Sequence, residues 1–127
     1  MDKDMKEKIL YSVKDVCDRF GITRKTLFYY DRIGLLKPAD RQGVQHFKFY
    51  DFEALSRLES ILEYRGAGLS IDDIKKVIDL DDKEAILGIL MDVRKRLISE
   101  ARQKEEEIRK LEELIRMNSG SSRNKII

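Results

Sequence analysis

Tryptophan is absent from these 127 residues, and proline, cysteine and histidine occur once each. One proline argues against the many turns of a β sandwich or barrel, and five Tyr with five Phe are a small aromatic supply for a core. The expectation is a mainly α chain with a long exposed helical part. Cys17 alone forms no internal disulfide and builds no thiolate-rich zinc site, and its place among apolar helix positions suits a small buried hydrophobe. No run reaches the roughly 20 apolar residues of a membrane span. The opening MDKDMKEKIL lacks the apolar centre and cleavage site of a secretory signal, so a cytoplasmic protein without membrane contact is expected. Phosphate-binding glycine loops, nucleophile elbows and zinc-binding histidine pairs are missing too, so neither an enzyme nor a metal site is expected.

A dominant charge sign is also lacking: 26 Lys plus Arg against 24 Asp plus Glu leave a net +2. Total charge therefore names no partner, but its distribution does. Residues 19–50 carry Arg19, Arg24, Lys25, Arg32, Lys37, Arg41 and Lys48 against only Asp31 and Asp40, a local excess of +5. Such a patch attracts a phosphate-lined duplex, with counterion release adding affinity at low salt.

What is present organises the chain. Ser12 and Asp15 form a capping box, Val13, Val16, Cys17 and Phe20 recur at helical spacing, and Gly21 ends the helix. Thr23 caps a second helix that Gly34 closes, which makes a helix-turn-helix. Pro38 and Gly43 then separate Leu35-Leu36-Lys37 from Phe47-Lys48-Phe49-Tyr50, which predicts a hairpin wing with its loop near residues 39–45. Alternation within Phe47-Lys48-Phe49 makes the two Phe packing residues. Asp51 caps a third helix with Phe52, Leu55, Leu58, Ile61 and Leu62 as its buried stripe, and Ser70 with Asp73 caps a fourth.

From about Lys83 to Met117 only Gly88 interrupts good helix formers. Leu90, Arg94, Leu97, Ala101, Lys104, Ile108, Leu111 and Ile115 alternate by fours and threes, and Leu90, Leu97, Ala101, Ile108, Leu111 and Ile115 suit a coiled-coil seam. One narrow stripe on so long a helix calls for a second copy, and the pattern alone admits parallel or antiparallel pairing. The expected division is an N-terminal extension (1–10), a winged helix-turn-helix DNA-binding domain (11–82), a dimerisation helix (83–118) and a tail (119–127) that is disordered by composition.

Candidate DNA contacts follow from this layout. Thr23, Arg24, Lys25 and Tyr29 occupy the reading face of the second helix, where free N–H groups meet phosphate and long side chains reach base edges. Tyr30 is either a contact or a core residue. Arg41, Gln45, His46 and Lys48 are the wing's candidates.

In order, YSVKDVCDRFGITRKTLFYYDRIGLLKPA and FKFYDFEALSRLESILEYRGAGLSIDDIKKVI resemble the MerR family of bacterial transcription regulators, over about residues 11–80. The resemblance implies a winged helix-turn-helix homodimer joined by an antiparallel coiled coil. Such dimers bind a pseudo-palindromic promoter operator in double-stranded DNA and bend and untwist it, with RNA polymerase as a further partner at the promoter. It carries Thr23, Lys25, Tyr29, Tyr30, Lys48, Tyr50 and Arg65 over as family DNA-contacting positions. Phe28 departs from the family's usual Arg, and His46-Phe47 stands where Gly-Tyr is common, which bears on the operator sequence. The cysteines of metal-sensing members are missing near the end of the long helix, so no cofactor is implied. A small effector, a protein effector and no effector all remain open. The alternative function is a coiled-coil adaptor with incidental DNA affinity. A regulator prefers its operator over random DNA by about 10³ or more, an adaptor hardly at all.

Overall fold

Ser12 ends one element and begins the next. In the computed structural model, which describes residues 9–43 and 47–120, strand β1 (Tyr11–Ser12) runs straight into helix α1 (Val13–Phe20). The Ser12 hydroxyl accepts the Asp15 N–H at 3.1 Å and the Asp15 carboxylate accepts the Ser12 N–H at 3.3 Å, the capping box that the sequence predicts. Helix α1 stops at Gly21, whose φ of 68° lets its N–H reach the Cys17 carbonyl at 2.9 Å. Glycine adopts this left-handed geometry without a Cβ penalty. Helix α2 (Arg24–Arg32) then starts from its Thr23 cap, completing the helix-turn-helix.

The wing differs from its expected form. The Leu35 and Leu36 N–H groups both donate to the Tyr30 carbonyl, at 2.9 and 3.1 Å, and both side chains are buried. They form the closing turn of α2, not a wing strand. The wing strands are β2 (Asp40–Gln42) and β3 (Phe47–Tyr50), so residues expected in the loop are paired. β1 joins them in an antiparallel sheet of order β1-β3-β2. Tyr11 faces Tyr50 across β1 and β3, and Arg41 faces Lys48 across β2 and β3. Phe47 at the hairpin end is exposed, not packed, while Phe49 is half-buried.

Helix α3 (Phe52–Gly66) is capped by Asp51 and α4 (Ile71–Val77) by the Ser70–Asp73 box. Their inward side chains, Leu58, Ile61, Ile74 and Val77, share a core with Val16, Leu27, Leu35, Leu36 and Tyr50. Phe52, expected in the stripe, is 72% exposed: at the first helical position it precedes the inward set Ala54, Leu55, Leu58 and Ile61. Half-buried Arg57 ties three segments together. Its Nε donates to the Leu35 carbonyl at 2.7 Å, and Nη1 and Nη2 donate to the Asp79 carboxylate at 2.7 and 3.2 Å. That hydrogen bonding holds the Asp79 carboxyl below its ordinary pKa.

This unit ends at Asp79, and a second begins at Leu80, three residues before the expected boundary. The second unit is built on helix α5 (Lys83–Ser119), 37 residues capped by Asp82 and about 55 Å long at 1.5 Å per residue. Val93 is its one buried residue among those described. Residues 1–8 of the expected extension and 121–127 of the expected tail lie outside the described residues. Among the described residues no helix is long and apolar enough to cross a membrane.

Candidate nucleic-acid interface

The first turn of α2 is fixed by its own side chains. Thr23 Oγ1 accepts the Thr26 N–H at 3.1 Å and donates to Thr26 Oγ1 at 3.0 Å. Thr23 is thus the structural cap of the helix. Arg24 and Lys25 follow it in exposed positions, and Lys25 makes no ion pair among the described residues. Tyr29, 37% exposed, lies one turn further along, with the Arg32 guanidinium 5.3 Å from its ring centre. Lys25, Thr26, Phe28, Tyr29 and Arg32 line an open hollow of about 440 Å³ along this face. Cationic tips, aromatic sides and the unpaired N–H groups of a helix start can meet phosphates and base edges.

Two expected contacts lie in the core instead. Tyr30 is 5% exposed and Tyr50 is fully buried. For Tyr30 the packing alternative holds, because α2 turns it inward beside Leu27. The Tyr50 hydroxyl is buried without a hydrogen-bond partner among the described residues. Burial, with the Asp31 charge adding to it, pushes its pKa up to about 12. Both residues shape the surface from beneath.

The wing's cations converge on Asp31, which is 4% exposed. Arg41 Nη2 donates to both carboxylate oxygens at 2.9 and 3.0 Å, Lys48 Nζ stands 2.9 Å from Oδ2, and Lys37 Nζ stands 3.5 Å from Oδ1. Burial alone would raise the Asp31 pKa, but hydrogen bonds and charge from Lys48 and Arg41 outweigh it and hold the carboxyl below its ordinary value. Asp31 therefore stays ionised at neutral pH. Lys48 Nζ also lies 4.0 Å from the centre of the Phe28 ring, and the Arg24 guanidinium lies 5.7 Å from the same ring. Such cation–π contacts favour a fixed cation position.

Arg65 stands exposed on the last turn of α3, its Nη1 donating to the Leu69 carbonyl at 3.3 Å. Gln45 and His46 lie outside the described residues. Of the other expected contacts, Lys25 and Tyr29 share the hollow on α2, Arg24 stands by the Phe28 ring, and Arg41 with Lys48 meet at Asp31. Sequence reasoning missed Asp31 as an organiser, although one of only two acids within a +5 segment was the available signal. On α5, Leu97 is 36%, Ile108 53%, Leu111 57% and Ile115 57% exposed, Ala101 is exposed and Leu90 half-buried. Leu114, 54% exposed and unanticipated, widens the strip.

A sheet of three short strands beside a tightly turned helix pair makes this a winged helix-turn-helix protein. Its residues 11–81 match the model of the MerR HTH family of regulatory proteins, and the chain belongs to that family. It is 41% identical over 69 residues to the HTH-type transcriptional activator TipA of Streptomyces coelicolor, covering 54% of this chain and 27% of TipA. It is 37% identical over 92 residues to the HTH-type transcriptional regulator AdhR of Bacillus subtilis, covering 68% of this chain and 65% of AdhR. Among solved structures, that of MtaN, the N-terminus of the Bacillus subtilis multidrug transporter activator, shares the fold with a TM-score of 0.69 at 28% identity, covering 83% of this chain and 97% of that one. The chain thus spans about a quarter of TipA and somewhat less than two thirds of AdhR.

Proposed function

We propose that the chain is a cytoplasmic, non-enzymatic transcription regulator that binds a pseudo-palindromic promoter operator as a homodimer. The observation that carries this reading is the capped start of α2, where Arg24 and Lys25 are exposed and Lys25 shares one open face with Tyr29. In the proposed complex this turn enters the major groove, and Arg41, Lys48, His46 and Arg65 meet phosphates beside it. Tyr30 and Tyr50 hold these elements from the core. The α5 helices of two copies pair through Leu90, Leu97, Ala101, Ile108, Leu111 and Ile115, as an antiparallel coiled coil, and so fix the separation of the two reading helices. A duplex that does not present its half-sites at that separation must bend and untwist to engage both. Bending a site of 20 to 30 base pairs costs about 1 to 6 kcal/mol, within reach of several phosphate contacts per subunit. Such distortion brings promoter elements into a register that RNA polymerase can use.

The test is binding of wild type and Lys25→Ala to a genome-selected operator and to random DNA at matched salt. Wild type should prefer the operator by about 10³ or more. Lys25→Ala should lose about 1 to 3 kcal/mol on the operator if Lys25 reads a base, and weaken all duplexes alike if it meets only phosphate. Equal wild-type affinity for operator and random DNA would leave the adaptor reading instead.

A further inference from the structure

Arg41 and Lys48 face each other directly across the β2–β3 ladder. Like charges at opposed positions of a sheet repel, and a hairpin carrying them is destabilised unless something neutralises the pair. Asp31 does so from outside the sheet: it belongs to α2, and its buried carboxylate takes Arg41 through two bonds and Lys48 through one. Phe28, one turn earlier on the same helix, places its ring 4.0 Å from the same Lys48 ammonium. Two side chains of the reading helix thus grip two cations of the wing. Among the described residues no backbone hydrogen bond joins β2 or β3 to α2.

We infer that Asp31 is a specificity-determining positioning residue: it touches no DNA itself, but fixes Arg41 and Lys48 relative to the reading helix so that the wing meets phosphates only when α2 is in register with its bases. Neutralising Asp31 has two opposed effects. It adds one positive charge per subunit, which raises attraction for any duplex. It also frees Arg41 and Lys48 to repel each other and to find phosphates in any register. Random DNA gains from the first effect and loses little by the second, whereas the operator loses the geometry that linked base reading to wing contact. The affinity ratio, operator over random, must therefore narrow.

This inference rests on the proposed DNA-binding function, and the experiment separates the two. The full-length dimer, wild type and Asp31→Asn, is titrated with operator and with random duplex at several salt concentrations at pH 7, and each operator complex is footprinted with hydroxyl radicals. Helicity and melting temperature confirm folding at the assay temperature. The expected result is a ratio narrowed by about tenfold or more, mainly because random DNA is held more tightly, with the wing's backbone protection lost and that of α2 retained. A ratio unchanged from wild type overturns the inference: a parallel rise on both duplexes would make Asp31 only a charge brake, and a parallel fall only a fold stabiliser. If wild type itself shows no preference, the proposed function fails first. Should Asp31→Asn not fold, Asp31→Glu, which keeps the charge one methylene further out, takes its place. A narrowed ratio with a displaced wing footprint then supports positioning, and a wild-type ratio and footprint overturn it.

Discussion

Up to Asp79 the chain covers its own apolar residues, and from Leu80 onward it leaves them bare. Among the described residues, fourteen of the fifteen buried apolar side chains belong to the first unit, and nine of the thirteen large exposed ones belong to α5. Both units use the same local chemistry, with an Asp, Ser or Thr cap at each helix start. Caps decide where helices begin, not what covers them. In the first unit four short helices and a sheet give every stripe a facing surface. In α5 the exchanges are between neighbours one turn apart, such as Arg96 with Glu100 and Lys104 with Glu107. These exposed pairs are screened by water and add little, so they leave the apolar strip uncovered, which the proposed pairing of two copies would bury.

The largest expected effect attacks the uncovered strip. Replacing Leu97 and Ile108 together by Asp should give monomers by sedimentation and lower operator affinity by about 10² or more, because two linked half-site contacts become separate ones. The first unit should stay folded in that variant, and an intact dimer would mean that pairing uses another surface. Next comes the covered side of the comparison. Leu58→Ala empties a fully buried position and should cost about 2 to 5 kcal/mol in denaturant unfolding, with self-association retained while the protein is folded. A cost below about 1 kcal/mol would mean that this core is not closely packed.

A smaller effect follows from Asp31. Its carboxyl titrates below the ordinary value in the folded chain, so its contribution is fully present above that value and disappears as pH falls through the lowered one, below about pH 4. At pH 7 Asp31→Asn should be less stable than wild type by about 1 to 3 kcal/mol, and the gap should close in acid. A gap that does not narrow at all as pH falls below about 4 would point to packing, not ionisation. Smallest of all is Phe52→Ser. An aromatic 72% exposed on the first unit should change stability by about 0.5 kcal/mol or less. A loss well beyond that would show that Phe52 is covered in solution, and the contrast between the two units would be weaker than it looks.

Local chemistry was legible in the sequence and long-range pairing was not. The boxes at Ser12–Asp15 and Ser70–Asp73 need only residues three apart, and both form. β1 is two residues long, too short to carry a period, and β2 reads Asp-Arg-Gln with all three exposed, so no alternation announced either strand. Leu35 and Leu36 resembled a strand because two apolar residues before Pro38 carry no helical period, yet their N–H groups close the end of α2. At the candidate interface, charge and cap position located Arg24, Lys25 and Tyr29. Separating Tyr30 from Tyr29 required knowing which side of α2 the core occupies. The Asp31 cluster depends on a strand register that joins positions ten and seventeen residues downstream, which spacing along the chain does not encode.

The form of the wing's rim has a consequence for how the protein behaves when crowded. A three-stranded sheet has two edges whose free N–H and C=O groups could template strands from other molecules, the route to aggregation. One edge is β1, only two residues long and turned at once into a helix. The other is β2, three residues with Asp40 and Arg41 on it. Neither offers a flat, apolar length on which a foreign strand could settle. At high concentration these molecules can crowd together without their sheets fusing edge to edge.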